Sequence, residues 1–441
     1  MRGRRGRHVL LLLTPPSCII IFPVPLHCFS QHRAPPSSTR EARVHKISRM
    51  ASRLVRGVAR TMTTVAAVKT PRLTRAGRYI STSLLVSGGV ALYASHQGSV
   101  AAAQKAPTTI DTSKFMAPPI TELSVLEGKP NDMRTKMELM IMRIQSEFCR
   151  ALEGEEGAGC KFTVDRWRRH NPSEGGGVTC VLQDGKTFEK AGVNITVMTA
   201  PLSKELQASM RARGKKLPED KKFSFFAAGI SSVIHPRNPH VPTIHFNYRY
   251  FEMQDEDGNN KHWWFGGGTD LTPYYLDEGD VKLFHGVLKS ACDRHQPDYY
   301  SRFKKWCDDY FFVKFRGERR GVGGIFFDDL EDTDPEKMFG FVTDCADAVI
   351  PSYLPLVKKH KNDAVSEEER RWQLLRRGRY VEFNLVYDRG TKFGFATPNA
   401  RIESILMSLP LHARWEYMHQ PAPGTPEYKI TEVLKNPKDW V

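Results

Sequence analysis

The sequence predicts an α+β fold, a large mainly antiparallel β-sheet flanked on both faces by α-helices. Three observations carry this prediction. Strand-like runs come first and in the middle of the chain, and several are joined by turns too short for the crossovers that parallel pairs need. Helical patterns gather around and after them. A length of 441 residues, 40% of them hydrophobic, is ample for a sizeable core.

The folded part does not start at the N-terminus. Residues 1–100 hold 16 Lys and Arg and a single acid, Glu41, whereas residues 101–441 hold 49 basic and 48 acidic residues. The net charge of +16 therefore belongs to a leader and is no sign of nucleic-acid binding. Rich in Arg, Ser, Thr and Ala, that leader has the composition of a mitochondrial transit peptide. Within it Ile80 to Ala94 is apolar but short of the roughly 20 residues that a span needs, which favours a removed sorting signal over an anchor. Met50 offers an internal start. Residues 101–119 read as a small, polar, Pro-containing linker, and 120–441 as a single domain, whose size leaves a division in two open. Of eight cysteines, Cys18 and Cys28 lie in the leader, and the other six form no C-x-x-C pair, so zinc-ribbon and thioredoxin-like chemistry are weak readings.

From Asn131 to Leu152 the residues Met133, Met137, Met140, Ile141, Ile144 and Phe148 recur at spacings of three and four, which predicts a first amphipathic helix. Strands are predicted at Val178 to Leu182, Val193 to Met198, Phe223 to Ala228, Thr243 to Met253, Lys261 to Phe265, Gly324 to Phe327 and Arg379 to Tyr387. Asp184-Gly185, Asp257-Gly258 and Asp388-Arg-Gly390 supply turns. Helices are predicted over Glu278 to His295, Tyr299 to Phe312, Pro335 to His360, Ser366 to Arg376 and Pro398 to Leu409, the last with Thr397 as N-cap and Arg401 in its first turn.

The strand from Pro242 to Tyr250 is the most informative segment. Alternation places His245, Asn247 and Arg249 on one face and Ile244, Phe246, Tyr248 and Tyr250 on the other, so one face packs while the other offers a base, an amide and a fixed cation. Gly266-Gly-Gly-Thr-Asp270 sets a carboxylate behind glycines that permit close backbone approach. It lacks both the Gly-Lys-Ser/Thr ending of a P-loop and the G-x-G-x-x-G spacing, which argues against a nucleotide cradle; a purely structural turn stays open. Arg319 and Arg320 sit in a glycine-punctuated loop suited to a polyacidic small molecule, or to a surface charge cluster. His235, His240 and His245 recur every five residues, and Asp308-Asp309 and Asp328-Asp329 are adjacent pairs. Neither spacing brings ligands to one face of a strand, and no metal site is expected.

Taken together, HFNYRYF, WWFGGGTDLTP, KKWCDDYFF, RGERRGVGGIFFDDL, RGRYVEFNLVYDRGTKFG and RIESILMSLPLHARWEYMH resemble the oxygen-dependent coproporphyrinogen III oxidases of the animal mitochondrial type. The likeness runs from about Met116 to Val441. It implies an oxidoreductase of haem and porphyrin biosynthesis. Such an enzyme oxidatively decarboxylates the ring A and B propionates of coproporphyrinogen III to vinyls, giving protoporphyrinogen IX, with molecular oxygen as co-substrate and no metal or organic cofactor. It also implies a homodimer in the mitochondrial intermembrane space, with peripheral contact with the inner membrane as an expectation. By the same likeness His245 is the proton donor or shuttle, a role that an imidazole with an ordinary pKa of about 6.5 can fill in either direction. Ser231, Asn247, Tyr248, Arg249, Asn399, Ala400 and Arg401 are expected to contact substrate, although relatives carry Gly-Ser where this chain has Asn399-Ala400. The segment Val181, Leu182, Gln183, Asp184, Gly185, Lys186, Thr187, Phe188, Glu189 and Lys190 matches a dimerisation stretch, by edge-to-edge contact of a hairpin.

A substrate with four propionates needs cations, and Arg249, Arg320, Arg389 and Arg401 are the candidates, with Asp388 beside Arg389 included in the site. Arg249 and Asp270 join His245 as catalytic candidates. The specific expectation is that Asp270 lies under the macrocycle and deprotonates or polarises a ring N–H, so that the electron-rich pyrrole reacts with oxygen. Two other readings compete: a tetrapyrrole carrier without turnover, and a metal-dependent hydrolase built on the His and Asp clusters.

Overall fold

The computed structural model describes residues 109–441 other than 158, 213, 260, 332–333 and 397–399. The leader, residues 101–108 of the linker, and Thr397, Pro398 and Asn399 lie outside the described residues. Part of the expected linker is docked: a 3-10 turn at Thr112–Lys114 precedes Phe115, Met116 and Ala117, which pack on the core.

Along the chain come α1 (Leu123–Gly128), α2 (Met133–Glu156), β1 (Thr163–Arg168), β2 (Gly175–Gln183), β3 (Phe188–Pro201), α3 (Lys204–Ala212), β4 (Phe223–Pro236), β5 (Thr243–Asp255) and β6 (His262–Thr272). Then follow α4 (Glu278–Asp293), α5 (Tyr299–Tyr310), a small ribbon of β7 (Phe312–Val313) and β8 (Glu318–Arg319), and β9 (Gly323–Leu330). The last part is helical: α6 (Pro335–Asp347), α7 (Val349–His360), α8 (Glu367–Val386), α9 (Arg389–Ala396), α10 (Ile402–Leu406) and α11 (Pro426–Lys435).

Seven strands form one antiparallel sheet in the order β1-β2-β3-β4-β5-β6-β9. The α+β prediction holds. One face is apolar: Ile244, Phe246, Tyr248 and Tyr250 of β5 join Val193 and Ile195 of β3 and Ile141, Ile144 and Phe148 of α2 in the main core. The periodicity of α2 is the one predicted. Asp132 caps its N-terminus by accepting from the Arg134 N–H at 3.0 Å, and Gly157, at φ 86°, ends it. Helix α5 covers the outer edge of β9, with Phe303 against Phe327 on one side of the sheet and Tyr310 stacked on Phe326 at 4.1 Å on the other. It thereby shields an edge that would otherwise be open to pairing.

Four predictions at the level of elements are corrected. Arg379 to Tyr387 is helix rather than strand. The Ser366–Glu369 capping box starts α8, and propagation is cheap once nucleated, so the helix runs to Val386 and buries Trp372, Leu375, Tyr380 and Phe383 at helical spacing. Gly378 gives the Arg414–Trp415 strap room to lie on the helix: a Cβ there would sit 2.7 Å from the Arg414 carbonyl oxygen. Asp388-Arg-Gly390 accordingly starts α9 rather than turning a hairpin. The run from Pro335 to His360 breaks at Ala348 into α6 and α7, with Pro351 and Pro355 in the second piece. The helix expected from Pro398 begins at Ile402, with Arg401 extended at its N-cap.

Candidate active site

The floor of the site is the second face of the sheet. His245, Asn247 and Arg249 project from it as alternation predicts, with Ser231 opposite Asn247 on β4 and Asp270 opposite His245 on β6. Gly229 and Gly266 flank Arg249 in register, which leaves its side chain space that any Cβ would take. A cavity of about 270 Å³ opens here. Its walls include Ser231, His245, Asn247, Arg249, Asp388 and Arg389, six of the expected residues, together with Asn194, Tyr310, Phe326 and Asp328.

His245 and Asp270 meet, but not as expected. The His245 Nδ1 lies 2.7 Å from Asp270 Oδ1, and Arg320 Nη2 donates to both carboxylate oxygens at 2.9 and 2.7 Å. Asp270 is 2% exposed and does not line the cavity. Burial pushes its pKa up, but the Arg320 guanidinium and the His245 bond outweigh burial and hold it below the ordinary carboxylate range. A poor base behind the cavity wall cannot take a ring proton directly, so that assignment is corrected. What Asp270 does is fix the His245 ring: with Nδ1–H donated to the carboxylate, Nε2 is the atom left for the cavity.

Arg320 is likewise committed. It is 3% exposed, bonded to Asp270 and Asn384, and enclosed by the rings of Phe311, Tyr380 and Phe383 at 4.1–4.9 Å. It anchors Asp270 and does not line the cavity, which corrects its place among the propionate-binding cations. Tyr248 faces the other side of the sheet, where its hydroxyl bonds Thr269 and donates to the Cys345 carbonyl, so its side chain cannot touch cavity contents. Arg401 pairs with Asp165 of β1 in a separate depression over β1–β3, and Ala400 does not line the cavity either.

The guanidinium of Arg249 is held by Asn247 and by Asp328 at 2.7 Å. Arg389 is different. It stacks 4.7 Å above Tyr310 and has no carboxylate partner among the described residues, so its charge is open to an acid arm. Asp388 beside it accepts from the Tyr310 hydroxyl at 3.1 Å and from the Thr391 N–H and hydroxyl at 2.7 and 2.9 Å, an N-cap arrangement for α9 that ties down the cavity wall.

The three histidines of the five-residue repeat do not converge. His235 is buried against the Ser408 carbonyl, His240 pairs with Glu369, and His245 with Asp270. Among the described residues Asp277, Asp280 and His360 have metal-ligating spacing, but the Lys359 amine already donates to both carboxylates. The expected dimerisation segment lies in the β2–β3 hairpin: β3 is paired with β2 and β4, β1 covers β2 only as far as Val181, and within the segment Gln183, Asp184 and Lys186 at the tip are exposed.

Fold and site together define a class: an α+β protein whose buried Arg–Asp–His relay opens on a cavity lined by arginines. A family model described as coproporphyrinogen III oxidase matches residues 136–440. The Drosophila melanogaster protein named oxygen-dependent coproporphyrinogen-III oxidase is 66% identical over 332 residues, covering 75% of this chain and 84% of its own. Its Homo sapiens counterpart, named as mitochondrial, is 62% identical over 330 residues, 75% and 72% of the two chains. A Glycine max relative, named as chloroplastic, is 55% identical over 315 residues, 70% and 80%. The chain belongs to the coproporphyrinogen III oxidase family.

Proposed function

We propose that this chain converts the ring A and B propionates of coproporphyrinogen III to vinyl groups, giving protoporphyrinogen IX in haem biosynthesis, with oxygen as the oxidant. Each conversion releases one carboxylate as CO₂ and passes two electrons and a proton from the arm to the acceptor. The observation that carries the reading is the His245 Nε2 set in one cavity with Arg249 and with Arg389, whose charge has no carboxylate partner among the described residues. The arginines hold acid arms and His245 moves a proton at the arm being oxidised, while Asp270 and Arg320 keep its ring in place. We include in the proposal that no metal or organic cofactor is needed, since an electron-rich pyrrole can itself deliver electrons to oxygen.

The test is CO₂ release from reduced substrate by chelator-treated protein under oxygen. Two CO₂ per macrocycle support the reading, substrate bound without CO₂ supports a carrier, and activity restored only by a divalent ion supports metal chemistry.

A mitochondrial location is supported by the leader composition and by mammalian relatives named as mitochondrial. The intermembrane space, peripheral contact with the inner membrane and a homodimer are proposed with it. Exposed Trp415, Tyr417 and Met418 offer apolar area for a partner copy. Sedimentation and fractionation with protease protection test these points.

A further inference from the structure

Arg249 and Asp328 form a pair that the backbone makes special provision for. β6 and β9 lose register between Phe265↔Leu330 and Gly267↔Phe327, so that Asp328 and Asp329 stand opposite Gly266 alone. Asp329 absorbs the extra residue at φ 49°, a left-handed value that aspartate adopts more readily than most residues. Asp328 continues the cavity-facing alternation of Gly324 and Phe326, and Leu330 still returns to the core. Gly266 completes the arrangement: a Cβ there would lie 2.5 Å from Asp328 Oδ1 and 2.7 Å from Arg249 Nη2.

The pair is nevertheless incomplete. Asp328 is 3% exposed and its Oδ1 accepts from Arg249, but its Oδ2 has no hydrogen-bond partner among the described residues, and neither has the Arg249 Nε. A buried carboxylate oxygen without a donor forfeits its hydration with nothing in return, and a residue held that way at a cavity wall points to a donor arriving from the cavity.

We propose that Asp328 is a specificity-determining residue that accepts hydrogen bonds from the ring N–H groups of the bound macrocycle, while Arg249 and Arg389 take its acid arms. This rests on the function proposed above. A reduced tetrapyrrole carries an N–H on every ring and bends freely, whereas the oxidised porphyrin with the same arms is flat and has only two inner N–H groups. A carboxylate that receives N–H donors therefore selects the oxidation state of the ring, a task the arginines cannot perform because both molecules have identical arms.

The experiment measures affinities for coproporphyrinogen III and coproporphyrin III under nitrogen, where turnover is stopped, for wild type and Asp328→Asn. Wild type is expected to prefer the reduced ring at least tenfold. Asp328→Asn is expected to lose that preference to within about twofold while its affinity for the oxidised porphyrin stays within twofold of wild type. Equal loss of both affinities would mean that Asp328 merely holds Arg249, and an unchanged preference would mean that it does not meet the ring; either overturns the proposal. Should Asp328→Asn not fold, Asp328→Ser serves for the same comparison. Wild type that neither binds the reduced ring nor releases CO₂ in air overturns the functional reading itself, whereas wild-type turnover with an insensitive Asp328 variant overturns only this inference.

Discussion

At Asp270 one carboxylate serves two neighbours, the buried Arg320 and the half-buried His245, and its replacements separate the roles. Asp270→Ala leaves the Arg320 guanidinium buried without a counter-charge, so unfolding free energy should fall by about 3–5 kcal/mol, visible in urea denaturation. Asp270→Asn keeps the shape but weakens the hold on the His245 Nδ1–H. The fold should survive with kcat lowered by about 10²–10⁴-fold. A kcat within threefold of wild type would remove Asp270 from the mechanism. Arg389→Ala should act on binding instead: the guanidinium is without a carboxylate partner among the described residues, so KM should rise about tenfold or more with little change in melting temperature. The sequence made the cavity side of β5 legible because alternation is a local property of nine residues. It did not reveal that Arg320 is spent on Asp270, because which acid a guanidinium meets depends on β8, β9 and α8 coming together. Asp328 is not legible as a cavity residue, because the bulge that sets it and Asp329 opposite Gly266 arises only when β6 and β9 pair.

On the β6 strand the glycines differ in what surrounds them, and alanine substitutions should report it. At Gly268 a Cβ meets the Ile325 carbonyl oxygen at 2.5 Å, a backbone atom that cannot retreat, so Gly268→Ala should destabilise by about 1–3 kcal/mol and lower the melting temperature. At Gly266 the obstacles are the ends of Asp328 and Arg249, which can swing away. Gly266→Ala should therefore fold but bind the reduced macrocycle at least about tenfold less tightly, measured under nitrogen; full affinity would show that the pair tolerates displacement. Hairpin strands were readable because pattern and turn residues agree. The segment Arg379 to Tyr387 was misread because its fate is decided upstream, by the capping box at Ser366. The edge strand β1, α3 and α11 were missed altogether, being short and held by tertiary contacts more than by their own pattern.

Taken whole, the molecule keeps two histidines buried and neutral, and this sets its behaviour in acid. Burial, aided by the Arg377 charge, pushes His235 down to about 3, and burial with Lys304 does the same for His285. The unfolded chain binds protons at these sites below about pH 6.5 while the folded one does not until about pH 3, so stability falls with pH across that window. Glu189 works in the same direction at lower pH. Burial raises its pKa, but Arg377 and Arg370 outweigh this and hold it at about 2, so its contribution is lost as pH drops below about 4.5 towards 2. Melting temperature should decline steadily from pH 7 to 4, and His285→Gln, able to serve both Tyr300 and the Val322 carbonyl, should flatten the slope between pH 6.5 and 5; an unchanged slope would place the effect elsewhere. Strands β1 to β5 pair with their immediate successors, whereas β9 joins β6 only after the excursion through α4, α5 and the β7–β8 ribbon. A chain emerging N-terminus first through a ribosome or an import channel can thus lay down six strands with His245 already in place and still be inert. Arg320 and Asp328 arrive late, and the timing of that arrival keeps a half-made protein from engaging a reactive, easily oxidised pigment precursor.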